Sequence, residues 1–336
     1  MVSAEEKSSS RTHSSLVSVV FSFRNEEQVL PELIKRVTEA LNPVDIDYKL
    51  VFVNDDSTDR SLELLKEYAK KDPRIVVISM SRRFGVGPCV LAGLRYAQDS
   101  DAVVYMDADL QDPPELIPQL LERWRSGADV VHTKRRSRQG EKAFKMWITR
   151  QAYKILRFLS EVDIQENCGD FKLISNRALK ELLKLRETDP FMRGMVAWIG
   201  FKQEIFLYDR HARFSGETHF PLLNASHAKE FVRGLASFSV IPLYLSLVVG
   251  FLASFIAFGA LLVILVDKYL GFNLPGWTAI MTSNLFLGGS IHLALGFIGI
   301  YIARIYNELK GRPLYIVQDV IDDDSSSKEK MKNGHR

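Results

Sequence analysis

The sequence predicts an α/β protein, a doubly wound and mostly parallel sheet, followed by a membrane hairpin. Three observations carry this expectation. Four short β-rich runs alternate with amphipathic helical stretches between Leu16 and Asp107. Near the C-terminus, Gly234 to Val266 and Tyr269 to Ala303 run for 33 and 35 residues without Asp, Glu, Lys or Arg, each more than the roughly 20 residues needed to cross a bilayer. Finally, 336 residues with 46% hydrophobic and 25% charged side chains exclude disorder, collagen and a disulfide scaffold. The mean hydropathy of −0.04 therefore averages over a charged soluble part and an apolar one.

The first strand is LVSVVFSF (Leu16 to Phe23), followed by a helix over roughly Glu27 to Leu41. YKLVFVN (Tyr48 to Asn54) comes next, then a helix after Asp59, the strand RIVVISM (Arg74 to Met80), a helix over Pro88 to Gln98, and the strand AVVYMD (Ala102 to Asp107). Apolar runs of this length separated by helices read as buried parallel strands in repeated βαβ units. In such sheets ligands sit beyond the C-terminal strand ends. Polar residues stand there: Arg24-Asn25-Glu26-Glu27 after the first strand, Asn54-Asp55-Asp56-Ser57 after the second, and Asp107-Ala108-Asp109 after the fourth. Three converging acidic strand ends point to one site.

The apolar stretches resolve into two expected spans. Ile241 to Val266 would make about 39 Å of helix at 1.5 Å per residue, and the second span covers Thr278 to Ile302. Between them, Asp267 to Trp277 holds the turn formers Gly271, Pro275 and Gly276. Lys229, Arg233, Arg304, Lys310 and Arg312 flank the pair, whereas the connecting loop has only Lys268. The positive-inside rule puts both flanks, and hence the α/β part, in the cytoplasm, as a multi-pass protein of the inner (plasma) membrane. Lys142 to Ser160 reads as a basic amphipathic helix suited to an anionic membrane surface. The expected organisation is a polar tail over 1–15 with no signal-peptide stretch, an α/β domain over 16–230, a membrane part over 231–312, and a C-terminal tail over 313–336. A formal net charge of +3 gives no argument for nucleic acid, and two cysteines, Cys89 and Cys168, read as reduced thiols.

The chemistry concentrates in Asp107-Ala108-Asp109-Leu110-Gln111-Asp112-Pro113-Pro114-Glu115. Carboxylates at i and i+2 just past a strand can aim oxygens at one hard divalent cation, and such a cation can bridge a diphosphate and neutralise its departing charge. Oxygen ligands suit Mg2+ and Mn2+ alike.

VNDDSTD (Val53 to Asp59), SRRFGVGPCVLAGLRYA (Ser81 to Ala97), DADLQDPPELI (Asp107 to Ile117), TKRRSRQGE (Thr133 to Glu141), CGDFKLISNRAL (Cys168 to Leu179) and FMRGMVAWIGFKQ (Phe191 to Gln203) follow in order. Together they resemble the family 2 glycosyltransferases of GT-A (Rossmann-like) fold that load sugars onto polyprenyl phosphates, such as dolichyl-phosphate mannose synthases and bactoprenol glucosyltransferases. The resemblance covers about Leu16 to Arg312. It implies that Glu26, the backbone near Val53, Asp55 and Asp107 bind the nucleotide, and that Asp107, Asp109 and Gln111 hold the metal and sugar diphosphate. It implies Arg135, Arg136, Arg138 and Arg213 as phosphate or acceptor contacts, and Asp170 beside Asp109 as the catalytic carboxylates. The reaction implied is inverting transfer of a hexose, best read as glucose from UDP-glucose, to undecaprenyl phosphate in the membrane. The resemblance also raises a homotetramer.

The chain departs from that family pattern at Ser22 and Arg24, at Asp56 where glycine is usual, at Arg83 and Val86, and at His219. These positions bear on nucleotide and sugar specificity, so GDP-mannose or a UDP-aminosugar stays open as donor. Outside transfer chemistry, a degraded transferase serving as a membrane scaffold and a membrane-tethered nucleotide sensor also stay open.

Overall fold

The computed structural model describes residues 15–136, 168–209 and 276–322, with single residues between 248 and 270. The contacts divide the chain into two units, one made largely of the α/β part with residues 313–336, the other of residues 154–162 and 225–312.

In the first unit, β1 (Leu16–Phe23), β2 (Asp47–Asn54), β3 (Ile75–Met80) and β4 (Ala102–Asp107) are joined by α1 (Leu30–Leu41), α2 (Ser61–Lys71) and α3 (Val86–Tyr96). The strands fall within a residue of their expected bounds. The helices differ more at their starts: α1 begins three residues later, and the backbone N–H groups of Glu26 and Glu27 instead donate to Ser61, which opens α2, and to Asp59 in the loop before it. All four strands run parallel in the order β3-β2-β1-β4. Their side chains are almost wholly buried, which is why they read as unbroken apolar runs rather than alternating ones. On one face, Phe21, Phe52, Leu30, Leu33 and Val104 form the main core. On the other, α3 lies so close that a Cβ on Gly93 would meet Val20 Cγ1 at 2.3 Å and Val53 Cγ2 at 3.0 Å. Glycine is required there for contact between helix and sheet.

Four more strands complete an eight-stranded sheet, β7-β5-β6-β4-β1-β2-β3-β8. α4 (Ile117–Arg125) leads to β5 (Val130–Arg135); β6 (Cys168–Ser175) is followed by α5 (Asn176–Leu182), α6 (Met192–Trp198) and β7 (Gln203–Tyr208). β6 lies antiparallel between β4 and β5, and β7 is parallel to β5. β8 (Val317–Ile321) pairs antiparallel with β3. This corrects the expected tail over 313–336: residues 317–321 are sheet. An edge strand is stabilised by ladder hydrogen bonds to its neighbour, a long-range contact that the local pattern VQDVI does not announce.

In the second unit, α7 (Trp277–Leu309) is 33 residues long. Its segment Phe286–Leu309, with a mean hydropathy of 1.8, is long and apolar enough to cross a membrane by length and composition. The expected second span, Thr278 to Ile302, lies within this helix, which continues to Leu309. Most of the expected first span, Ile241 to Val266, and the whole of Lys142 to Ser160 lie outside the described residues.

Candidate active site

The order of the parallel strands reverses between β1 and β4: β2 and β3 are added on one side of β1, β4 on the other. Loops leaving adjacent strands in opposite directions open a crevice at their C-terminal ends. Ser22 of β1 pairs directly with Asp107 of β4 at this point, and with Val53 of β2 on its other side.

The loops around the crevice are held in uncommon backbone conformations. Asn25 (φ 57°) after β1, Asp56 (φ 56°) after β2 and Leu110 (φ 55°) after β4 all occupy the left-handed region without being glycine, and Gly85 (φ 94°) does so after β3. Such residues cluster at functional sites because the surroundings must over-determine them. The Asp56 departure is thereby explained, since aspartate is among the residues that tolerate this region where glycine costs least. The surroundings are explicit. Asn25 N–H donates to Ser57 Oγ (3.0 Å), and Asn25 Oδ1 accepts from Thr58 N–H (2.8 Å). Glu26 N–H donates to Ser61 Oγ (2.9 Å), and Arg60 N–H donates to Glu27 (3.0 Å). The first two strand-end loops are thus laced together.

Asp55, expected to read the base or ribose, is buried and grips the third loop. Its carboxylate accepts from Phe84 N–H (2.6 Å) and from Gly85 N–H (3.0 Å). Arg24, Arg83 and Val86 stand exposed around these loops.

Carboxylates crowd the β4 end. Asp107 is pushed up in pKa by burial and then by the negative charges of Asp170, Asp109 and Asp112. Gln111 N–H donates to Asp109 Oδ1 (3.1 Å), fixing the turn past the strand. Asp170 on β6 forms a two-point ion pair with Arg193 of α6, Nη2 to Oδ2 at 2.9 Å and Nε to Oδ1 at 3.2 Å. Burial acts to raise the Asp170 carboxyl, but Arg193, aided by Lys172 and Arg135, overrides it and holds the group below the ordinary carboxylate value. Lys172, fully buried two residues on, is pushed down to about 8 by burial, with Arg193 acting the same way and Asp170 opposing. The α6 helix that carries Arg193 is braced at its far end: Gln203 Nε2 donates to the carbonyls of Val196 (3.0 Å) and Gly200 (2.6 Å), while its Oε1 lies 2.7 Å from His132 Nε2.

Arg135 ends β5 beside these carboxylates, and Arg136 follows it, exposed and 3.7 Å from Asp209. Arg138, Arg213 and His219 lie outside the described residues. Among the described residues no three carboxylate, imidazole or thiol groups converge as a ready-made cation site. Asp107 and Asp109 nevertheless supply hard oxygen donors, Gln111 adds an amide oxygen, and the crowded negative charge calls for a counter-ion. The chemistry of these oxygen donors is of the kind that would hold Mg2+ or Mn2+.

Comparison with known proteins decides the family. Residues 18–183 match Glycosyl transferase family 2. The uncharacterized glycosyltransferase YkcC of Bacillus subtilis (strain 168) is 41% identical over 302 residues, covering 90% of this chain and 93% of its own length. The chain belongs to glycosyl transferase family 2. The prophage bactoprenol glucosyl transferase homolog of Escherichia coli (strain K12) is 36% identical over 309 residues, 90% of this chain and 99% of its own. A relative from Synechocystis sp., sll0501, is 39% identical over 308 residues, at 90% and 95% coverage.

In this glycosyltransferase the sequence reading located Asp107, Asp109, Asp170 and Arg135, and the structure brings them together at one end of the sheet. It gave no role to Arg193, Lys172, Asp112 or Tyr208. Arg193, Lys172 and Asp112 each stand inside a motif already singled out, FMRG, GDFK and LQDPP, so the available signal was a charged residue next to apolar neighbours destined for burial.

Proposed function

We propose that this glycosyltransferase moves a hexose from a nucleotide sugar, UDP-glucose as the leading donor, to the phosphate of a membrane polyprenyl phosphate such as undecaprenyl phosphate. The observation that carries the reading is the state of Asp170. Both of its oxygens are engaged by Arg193, at 3.2 and 2.9 Å, which leaves Asp170 a poor general base, and Asp107, whose carboxyl is raised to about 7, would be engaged by the cation. An acceptor hydroxyl needs a competent general base; a phosphate oxygen is already ionised and does not. The bactoprenol name of the Escherichia coli relative, which matches this chain across 90% of its length, supports the same acceptor class.

In the reaction, a phosphate oxygen of the lipid attacks the anomeric carbon from the face opposite the nucleotide. The bond from that carbon to the diphosphate oxygen breaks, its electron pair leaves with the nucleoside diphosphate, and the configuration inverts. Asp170 orients the acceptor or sugar and faces the positive charge that develops on the ring. Arg135 and Arg136 hold phosphate oxygens in the fork geometry of guanidinium groups. Asp107 and Asp109 would hold a divalent cation, which when bound neutralises charge on the leaving diphosphate. Gathering two anions in one pocket is the main task.

A polyprenyl tail stays in hydrocarbon, so its phosphate is met at interfacial depth. We place two spans, about 241–266 and 278–302, in the membrane with both ends cytoplasmic, on the distribution of Lys and Arg at their flanks. A nucleotide-sugar panel against short-chain polyprenyl phosphate, with and without EDTA, tests the function. Product that disappears with EDTA and in Asp109→Ala supports it; nucleotide binding with no transfer to any lipid phosphate makes the chain a scaffold instead.

A further inference from the structure

Arg135 sits in surroundings more elaborate than an arginine needs simply to present charge. Register places it directly opposite Tyr208 on β7, and Arg135 Nε donates to the Tyr208 hydroxyl at 3.2 Å. That hydroxyl in turn donates to Asp112, whose residue is wholly out of solvent. Arg135 Nη2 lies 3.7 Å from Asp112 Oδ1. Against the same guanidinium stands Gly169 of β6, where a Cβ would come within 3.0 Å of Nη2 and 3.7 Å of Cζ. Tyr208 is held edge-on by Phe171 at 6.3 Å between ring centres. The Arg135 side chain retains 18% exposure.

We propose that Asp112, Tyr208 and Gly169 form a socket that locks one orientation of the Arg135 guanidinium and aims it at a phosphate oxygen. The three are positioning residues; Arg135 alone touches the ligand. The inference rests on the proposed phosphate chemistry of the site, and it adds how that chemistry is made directional. An unbraced arginine gives up side-chain freedom when it binds, whereas a braced one has already given it up. Asp112 also offsets part of the Arg135 charge, so the arginine contributes by direction more than by net attraction. The planar fork suits this use, and lysine cannot replace it. Gly169 fits the same logic, since a Cβ there would press on Nη2 at 3.0 Å and shift the guanidinium by a few tenths of an ångström.

The test is chemical rescue in the full-length, detergent-solubilised protein. Arg135→Ala empties the socket and leaves its walls. Added guanidinium should restore affinity for inorganic pyrophosphate and UDP about tenfold, the worth of one charge-assisted hydrogen bond, and methylammonium should not. Rescue should vanish in Arg135→Ala/Asp112→Asn and in Arg135→Ala/Gly169→Ala. Tyr208→Phe should raise the donor KM several-fold with a smaller change in kcat, because charge is kept while the freed arginine must give up its freedom on binding. Repeating the titrations with inorganic phosphate and short-chain polyprenyl phosphate distinguishes a donor diphosphate from an acceptor monophosphate as the ligand. Melting temperatures exclude misfolding, and Arg135→Lys, which should be as weak as Arg135→Ala, serves if the alanine variant does not fold. Equal rescue with and without Asp112, or an unaffected Tyr208→Phe, overturns the socket. Because the binding arm needs no turnover, guanidinium rescue without sugar transfer would remove the proposed reaction and leave the socket standing.

Discussion

The two halves of the sheet solve burial differently. In β3-β2-β1-β4 the buried polar side chains are small and mostly neutral, and several find one neighbour each, as Ser18 with Ser100 (2.7 Å) and Asn54 with Ser79 (3.3 Å). In β6-β5-β7 they include Lys172 and His132, with Asp129 buried just ahead of β5 and Asp112 buried beside the sheet. Charged groups removed from water must compensate one another, and here Asp170 with Arg193 and Asp112 with Arg135 do so. The apolar half fixes the backbone loops of the crevice and carries Asp107 and Asp109 at its edge; the polar half supplies Asp170, Arg193 and Arg135. Stability should therefore reside mainly in the first, and the guanidinium and Asp170 contributions to catalysis in the second.

Asp107, at the seam, gives the sharpest break in that comparison. Asp107→Asn relieves repulsion among four carboxylates, so the metal-free protein should melt higher while transfer falls by at least about 10³-fold. A lower melting temperature in EDTA would show that the crowding costs nothing. Asp170→Asn leaves Arg193 without its counter-charge and should reduce kcat by roughly 10²-fold with a smaller effect on donor KM. In the other half, Phe52→Ala removes a ring stacked on Phe21 at 4.9 Å. It should cost about 3–5 kcal/mol in denaturant titration and leave KM unchanged in whatever protein remains folded.

His132 sharpens the comparison by pH. Burial, helped by the neighbouring Lys172, lowers its pKa to about 4 from an ordinary 6.5. Between those values the unfolded chain binds a proton that the folded chain refuses, so stability rises with pH across roughly 4 to 6.5 and levels off above. His132→Gln should flatten the melting temperature over that window. The smallest effect is expected from the exposed Arg36–Glu115 pair (2.6 Å), where Glu115→Gln should cost under about 1 kcal/mol and leave turnover intact.

The same division explains what could be read from residues alone. Strands of the apolar half stood out because both of their faces are covered, leaving no polar position to interrupt the pattern. VVHTKR, CGDFKLIS and QEIFLY are short and interrupted by polar or charged residues, Lys172 among them buried and Lys134, Arg135 and Glu204 only partly so, and hydropathy therefore gave no strand for them, although the first two overlap the motif blocks around Arg135 and Asp170 and the third begins at the end of another. Arg193 was invisible as a partner because its contact with Asp170 spans 23 residues and depends on Gln203 bracing the helix between. Pairings of that kind exist only once the sheet has closed.

β8 carries a consequence for biosynthesis. Residues 317–321 leave the ribosome after the long apolar helix has been made, so until then the outer side of β3 has no strand to bond with. β3 is apolar and buried throughout its length, the kind of naked margin that recruits other chains. A product cut short after Arg312 would retain every residue assigned here to chemistry, yet it should be lost to aggregation.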